Sequence, residues 1–342
     1  MRPPRGPLSI LLAPLAWAYG AAVRERNRRY DVPGAAIRAR VPVLSVGNLV
    51  AGGTGKTPMV AWLVRRLASE GWTPAVVTRG YGGRAGKGPL LVSSGDGERV
   101  GPEICGDEPV LLARSLPGAL VLAGSDRVAV SEAAAAEGAD VVVLDDGFQH
   151  RRLARDLDLV LLDGTDPFGN GRLLPAGTLR EPLESLARAS AVIVTRCSPQ
   201  DDVAAIAAVV GRHAPGVPVL RSGHRRAGFV TAAGERIPAL GRAVAFCGIG
   251  NPALFLRDLE EEGVEIAAAR AFPDHHPYVP RELRGLAKLA GKHGAALVTT
   301  EKDLVRVPES AALVVALRIE ALVHDEEPLL ALVRRVLGRA AP

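Results

Sequence analysis

Cysteine is nearly missing: the 342 residues hold only Cys105, Cys197 and Cys247, far apart and odd in number. That argues against a disulfide framework and a thiolate metal cluster, and a reducing compartment is the simpler expectation. Aromatic residues are also scarce, at 4%, while Ala, Arg, Gly and Val abound. Coding bias produces such a composition as readily as a fold does, so it carries no functional inference. No internal repeat and no long low-complexity segment occurs. Apolar residues make up 48% of the chain, enough for a sizeable core, and disorder is not the expectation. The formal charge of +5 favours anionic partners only weakly, since it need not be concentrated in a patch.

One long apolar, uncharged run is present, Pro7 to Val23, followed by Arg24, Arg26, Arg28 and Arg29. A spanning helix wants about 20 apolar residues, and this run is shorter and carries Pro14 in its middle. A secretory signal fits in part, with Arg2 and Arg5 ahead of the run, but the Gly-Gly-Thr-Gly-Lys-Thr sequence at 52–57 points to a nucleotide-using enzyme, which belongs in the cytoplasm. A helix lying in the membrane interface satisfies both facts, with Trp17 and Tyr19 at headgroup level and the arginines on anionic lipid. A buried structural helix is the plainer alternative.

The rest of the chain alternates strands and helices. Val41 to Val46 reads as a buried strand, then a glycine-rich turn, then a helix over Pro58 to Leu67. Strand-like runs follow at Pro74 to Thr78, Ala119 to Ala123, Asp140 to Leu144, Leu157 to Leu162 and Ala191 to Thr195, with helices at Arg127 to Glu137 and Asp202 to Arg212. This predicts an α/β fold of P-loop NTPase type, a mostly parallel sheet with helices on both faces. A second series has strands near Ala243 to Cys247, Val264 to Ala271, Ala296 to Thr299 and Ala312 to Leu317. Its helices fall at Pro252 to Glu261, Pro280 to Lys292 and Glu327 to Arg339. The expected division is a membrane-associating helix (1–30), a phosphate-binding core (31–225), a hairpin-like linker (226–238) and a smaller α/β domain (239–342).

Four constellations carry chemistry. Val50, Ala51, Gly52, Gly53, Thr54, Gly55, Lys56 and Thr57 form a strand-to-helix loop in which backbone N–H groups wrap phosphates, the lysine neutralises them and the threonine hydroxyl binds Mg²⁺. Val50 stands where the usual first glycine would be. Asp145 and Asp146 follow an apolar strand, so one aspartate can reach the same Mg²⁺, although an Asp-Asp-Gly turn is common in itself. Asp107 and Glu108 open a helix, where plain capping also accounts for them. In Phe272 to Tyr278 the adjacent His275 and His276 point different ways, so shared metal ligation is disfavoured. One histidine paired with a carboxylate is the better functional reading, beside that of a surface loop.

Together these stretches resemble the tetraacyldisaccharide 4'-kinase family, the lipid A 4'-kinases of Gram-negative bacteria. The matches are SVGNLVAGGTGKTP (45–58), TRGYGG (78–83), GDEP (106–109), DDGFQHR (145–151), LLPAGTLREP (173–182), FPDHHPY (272–278) and TTEKD (299–303). They run in order over most of the chain, and Val50 agrees with the family's own atypical loop. The resemblance implies transfer of the γ-phosphoryl group of ATP to the 4'-hydroxyl of a tetraacylated glucosamine disaccharide 1-phosphate, forming lipid IVA. It implies ATP and Mg²⁺ as cofactors and a peripheral or monotopic location on the cytoplasmic face of the inner membrane. Anionic lipid is the expected surface partner; no nucleic acid or protein partner is expected.

Carried onto these residues, the pattern makes Asp107 the base, assisted by His275 across a cleft. Lys56 holds the phosphates, Thr57 with Asp145 or Glu108 organises Mg²⁺, and Asp146 supports the site's charge. Arg79, Tyr81 and Arg180 are candidates for the acceptor's anionic head, against readings as a glycine turn and a surface arginine. Thr299 to Asp303 falls at a strand end with no role assigned. A switch GTPase would need an Asn-Lys-x-Asp sequence, which is missing, and Thr300 to Asp303 has the wrong order to replace it. A soluble kinase of a small metabolite, with the N-terminal run as a core helix, is the other rival.

Overall fold

The computed structural model describes residues 7–84, 86, 88–237, 239–308 and 314–338. Arg2, Arg5, Pro238, Ala312 and Arg339, on which parts of the sequence reading fall, lie outside the described residues.

Among the described residues thirteen strands join in one sheet. They are β1 (Val43–Asn48), β2 (Pro74–Thr78), β3 (Leu90–Ser94), β4 (Leu120–Ala123), β5 (Val141–Asp145), β6 (Leu157–Asp163), β7 (Ala191–Thr195), β8 (Val219–Thr231), β9 (Arg236–Ile237), β10 (Arg242–Cys247), β11 (Glu265–Ala271), β12 (Ala296–Thr300) and β13 (Val314–Val323). The helices are α1 (Pro7–Leu11), α2 (Ala13–Tyr30), α3 (Lys56–Ser69), α4 (Pro102–Cys105), α5 (Asp107–Ser115), α6 (Arg127–Ala136), α7 (Ala204–His213), α8 (Pro252–Glu261), α9 (Pro280–His293), α10 (Glu301–Leu304) and α11 (Glu326–Leu337). The sheet order is β11-β10-β12-β13-β8-β7-β6-β1-β5-β2-β4-β3, with β9 paired to β8.

The pairing is mostly parallel because helical crossovers link the apolar strands, and strands buried on both faces read as continuous apolar runs. Val141 to Leu144 and Ala191 to Val194 are such runs. On one face Met59, Leu63 and Leu67 of α3, Leu112 of α5 and Leu329 and Val333 of α11 pack on Leu44, Val46 and Val143. On the other, Val130 and Ala134 of α6 cover Val77 and Leu144, and Val210 of α7 covers Val160 and Val192. In the C-terminal part α9 and α8 take opposite faces of β10.

The stretch expected to be a hairpin-like linker, 226–238, holds a short hairpin, the end of β8 pairing antiparallel with β9, Phe229 opposite Ile237, while β8 itself begins further back than expected. β8 starts parallel to β7, with Val219 opposite Val192, and continues antiparallel to β13 from Ser222 to Thr231. This β8–β13 ribbon carries the sheet from one half of the molecule into the other. The N-terminal run is two helices broken near Leu12, one residue before α2 begins and two before Pro14. No helix of the described residues is long and apolar enough to cross a membrane.

Candidate active site

The glycine-rich loop leaves β1 and enters α3 through Gly55, whose φ of 82° lies in the left-handed region open to glycine. Its shape is held from below. Asn48, buried at the end of β1, donates through Nδ2 to Val50 O (2.7 Å), Gly52 O (3.3 Å) and Thr54 Oγ1 (3.1 Å). Thr195 Oγ1 donates to Thr54 O at 3.0 Å, Arg196 Nη2 to Gly53 O at 2.9 Å, and Ala51 N to Thr178 O at 2.7 Å. Two strand ends, those of β1 and β7, and the 173–182 loop therefore fix the loop, and α3 presents its N-terminus with Lys56 and Thr57. Asn48, Thr195 and Arg196 were not singled out in the sequence; the signal for Asn48 was a polar residue ending a fully buried strand.

The two aspartates after β5 differ sharply. Burial, and next the charge of Glu108, push the Asp145 carboxyl up to about 7, against the pull of Lys56. Its Oδ1 is buried with no hydrogen-bond partner. Two crowded carboxylates near Lys56, one with an orphaned oxygen, fit a shared cation. Among the described residues no group of three or more His, Cys, Asp or Glu could hold a metal ion. Asp146, at φ 57°, is only half-buried, and Lys56 and Arg180 outweigh the burial it has and hold its carboxyl below the usual range. Arg180 Nη1 lies 2.9 and 2.8 Å from its two oxygens and Lys56 Nζ 3.5 Å from Oδ1.

Asp107 and His275, 168 residues apart, meet: Nδ1 of His275 stands 2.9 Å from Oδ2 of Asp107. His275 has φ 59°, a left-handed conformation that turns it away from His276, which pairs with Glu282 at 2.9 Å. Arg306 Nε is 3.4 Å from the same Asp107 oxygen, and Lys302 Nζ 3.2 Å from His275 Nε2. Arg306 was not recognised in the sequence. The Asp107 loop and the Arg79–Tyr81 loop cross backbone to backbone. Gly106 has φ 90°, and a Cβ there would run into the Tyr81 carbonyl oxygen. Tyr81 is largely exposed, and Arg79 lies close enough to the buried Arg127 to lower that guanidinium's proton affinity, although burial is the larger cause. Arg180 is thus brought to the aspartates, while Arg79 and Tyr81 stand with the Asp107 loop. A cavity of about 330 Å³ opens between Gly55, Thr57 and Met59 on one side and Ile249, Leu254 and Phe255 on the other.

A glycine-rich loop between strand and helix, acidic strand ends and a mostly parallel sheet covered by helices define an α/β protein with its candidate site at the strand ends. The pattern of the Tetraacyldisaccharide-1-P 4'-kinase family matches residues 8–338. The chain is 44% identical to the tetraacyldisaccharide 4'-kinase of Anaeromyxobacter sp. (strain K), over 94% of this chain and 88% of the relative. It is 43% identical to that of Methylorubrum populi, over 100% of this chain and 97% of the relative. A crystal structure of LpxK from Aquifex aeolicus in complex with ATP superposes with a TM-score of 0.80 at 32% identity, covering 96% of this chain and 99% of that one. The chain belongs to the tetraacyldisaccharide 4'-kinase family.

Proposed function

We propose that this chain is an ATP-dependent kinase that transfers the γ-phosphoryl group to the 4'-hydroxyl of tetraacyldisaccharide 1-phosphate in lipid A biosynthesis. The observation that carries the reading is the Asp107–His275 contact, formed from opposite halves of the chain beside the loop that holds Lys56. Phosphoryl transfer needs alignment and charge neutralisation more than covalent chemistry, so a carboxylate of ordinary strength suffices as base. Asp107 takes the hydroxyl proton as the sugar oxygen attacks the γ-phosphorus and ADP leaves. Lys56 and the N–H groups of residues 52–57 hold the phosphates, and Asp146 keeps Lys56 and Arg180 oriented until they do. The cavity beside Met59 and Phe255 is the place for the nucleoside.

Mg²⁺ would be held by Thr57, Asp145 and Glu108, and when bound it supplies charge neutralisation on the phosphate oxygens. Arg79, Tyr81 and Arg180 are read as contacts to the acceptor's anionic head. The outer face of α1 and α2 is read as the membrane contact, at the cytoplasmic surface of the inner membrane, peripheral or monotopic. Ile10, Leu11, Leu15 and Trp17 lie exposed along it, whereas Tyr19 turns its hydroxyl inward to Arg180 O at 2.8 Å. The division at 30, 225 and 238 belongs to the same proposal, with the β8–β13 ribbon as the linker.

The deciding experiment is incubation with labelled ATP, Mg²⁺ and tetraacyldisaccharide 1-phosphate in detergent. A product phosphorylated at the 4' position is expected; preference for GTP, or label on a small soluble metabolite instead, would overturn the reading.

A further inference from the structure

The segment after β12 has no role in the reaction just described, yet it touches both members of the reacting pair. Its centre is Asp303, fully buried. Oδ1 accepts from Gly248 N (2.9 Å), the Tyr278 hydroxyl (2.8 Å) and Arg306 Nη2 (2.8 Å), and Oδ2 from Thr300 Oγ1 (2.6 Å). A buried carboxylate this fully satisfied is a fixed point. Arg306, its side chain only 8% exposed, donates also to His276 O at 3.2 Å and thereby ties the histidine loop to Asp303. Its Nε has no hydrogen-bond partner, is buried, and lies 3.4 Å from Asp107 Oδ2.

Lys302, one residue before the fixed point, faces the outer nitrogen of His275 at 3.2 Å. An ammonium has only protons to give, so Nε2 accepts; a neutral ring then carries its hydrogen on Nδ1, which donates to Asp107 Oδ2 at 2.9 Å. Asp274 is 3.9 Å from Nε2, too far to accept from it. With Arg306 and His275 both on Oδ2, no hydrogen bond among the described residues reaches Oδ1. That oxygen is left for the hydroxyl.

We propose that Arg306 and Lys302 are positioning residues that fix the orientation of Asp107 and the tautomer of His275 from an anchor at Asp303. The proposal rests on Asp107 being the base. Its rival is a nucleotide contact, since Lys302 also borders the cavity beside the loop.

Steady-state kinetics of the full chain in detergent with Mg²⁺, ATP and acceptor decides between them. Arg306→Gln and Lys302→Met are expected to lower kcat on the order of 10- to 100-fold, the scale of a misplaced catalytic group, with KM for ATP within about twofold. Lys302→Arg restores a donor and recovers most of the loss. In an Asp107→Ala background each change is expected to cost less than about threefold more, because groups acting through Asp107 have nothing left to position. An equal loss in that background, or a loss carried by KM for ATP, overturns the proposal. Should Arg306→Gln fail to fold, Arg306→Lys keeps the charge on Asp303 without the fork to Asp107. A normal ATP-induced melting shift with lowered kcat supports the proposal; unchanged kcat sinks it.

If Asp107→Ala turns over normally, the base reading fails by itself, and nitrogen NMR of histidine-labelled protein still judges the positioning claim. His275→Gln identifies the signals. A bare Nε2 and protonated Nδ1 are expected, with the preference lost in Lys302→Met; a protonated Nε2 in the wild-type protein overturns the claim.

Discussion

The tasks proposed for Asp107 and Lys56 are separable, and their substitution should separate in kinetics. Asp107→Ala and His275→Ala are expected to lower kcat by about 100-fold or more with ATP affinity little changed, while Lys56→Ala weakens both, because the lysine meets the phosphates in ground and transition states alike. Near-normal turnover in Asp107→Ala would remove it as base. His150 offers a test of stability instead. Burial first, then the charges of Arg127 and Arg155, push its imidazole down to about 4 from an ordinary 6.5. Below pH 6.5 the unfolded chain takes up a proton that the folded one refuses. The contribution is complete above about 6.5 and is lost as the pH falls towards 4. Melting curves of wild type and His150→Gln should converge in that window, the variant showing the flatter pH dependence; parallel curves would refute the assignment. At this scale the sequence exposed both acidic pairs and the histidine loop, but left each with a plain alternative. Capping explains Asp107 locally, and the contact with His275, 168 residues away, is not written in either stretch alone. Arg306 carried no local signal, since one arginine among many is unremarkable until its burial is known.

The 173–182 loop works as an element joining two others. Arg180 grips Asp146 with its guanidinium and accepts from Tyr19 with its carbonyl. Glu181, fully buried, takes Arg26 at 2.9 Å, Asn27 at 2.9 Å and Arg188 at 2.8 Å. One loop therefore fastens α2 to the phosphate site. Glu181→Ala leaves Arg188 and Asn27 without their acceptor. It should cost on the order of 2 kcal/mol, below the range of a fully buried pair because the Arg26 side chain is 44% exposed. Urea melts read this loss, and faster proteolysis within α2 should accompany it; a variant as stable and as resistant as wild type would show that the loop does not fasten the helix. Elements with uniform burial were legible: β2 and β7 lie where their apolar runs put them, and α8 lies where its helical spacing put it. β8 was not. Gly223, Gly228 and several polar residues read as turns, and as a ribbon between halves it shows an alternating, half-buried face rather than an apolar run.

At the scale of the molecule, a kinase whose acceptor is held in a bilayer must bring its cleft to the interface. The contact proposed for it is the outer face of the N-terminal helices. α2 buries Ala16, Gly20, Val23 and Asn27 against the body, and Arg172 reaches Ser9 at 2.7 Å. The opposite face leaves Ile10, Leu11, Leu15 and Trp17 between 59% and 74% exposed, too many large apolar side chains at one end for a solvated helix. Deleting the segment would strip the body of Ala16, Gly20 and Val23 and confuse unfolding with detachment. Changing Leu11, Leu15 and Trp17 to Ser leaves the inner face intact. That variant should keep its melting temperature and its ATP-induced shift, yet partition into vesicles containing anionic lipid several-fold less. Its turnover should recover when the acceptor is offered in detergent micelles. Interfacial attachment scales with buried apolar area aided by the arginines of the last turns, so added salt should weaken wild-type partitioning only in part. Equal partitioning of variant and wild type would mean that these side chains are not the membrane contact, and that the acceptor reaches Asp107 by another face.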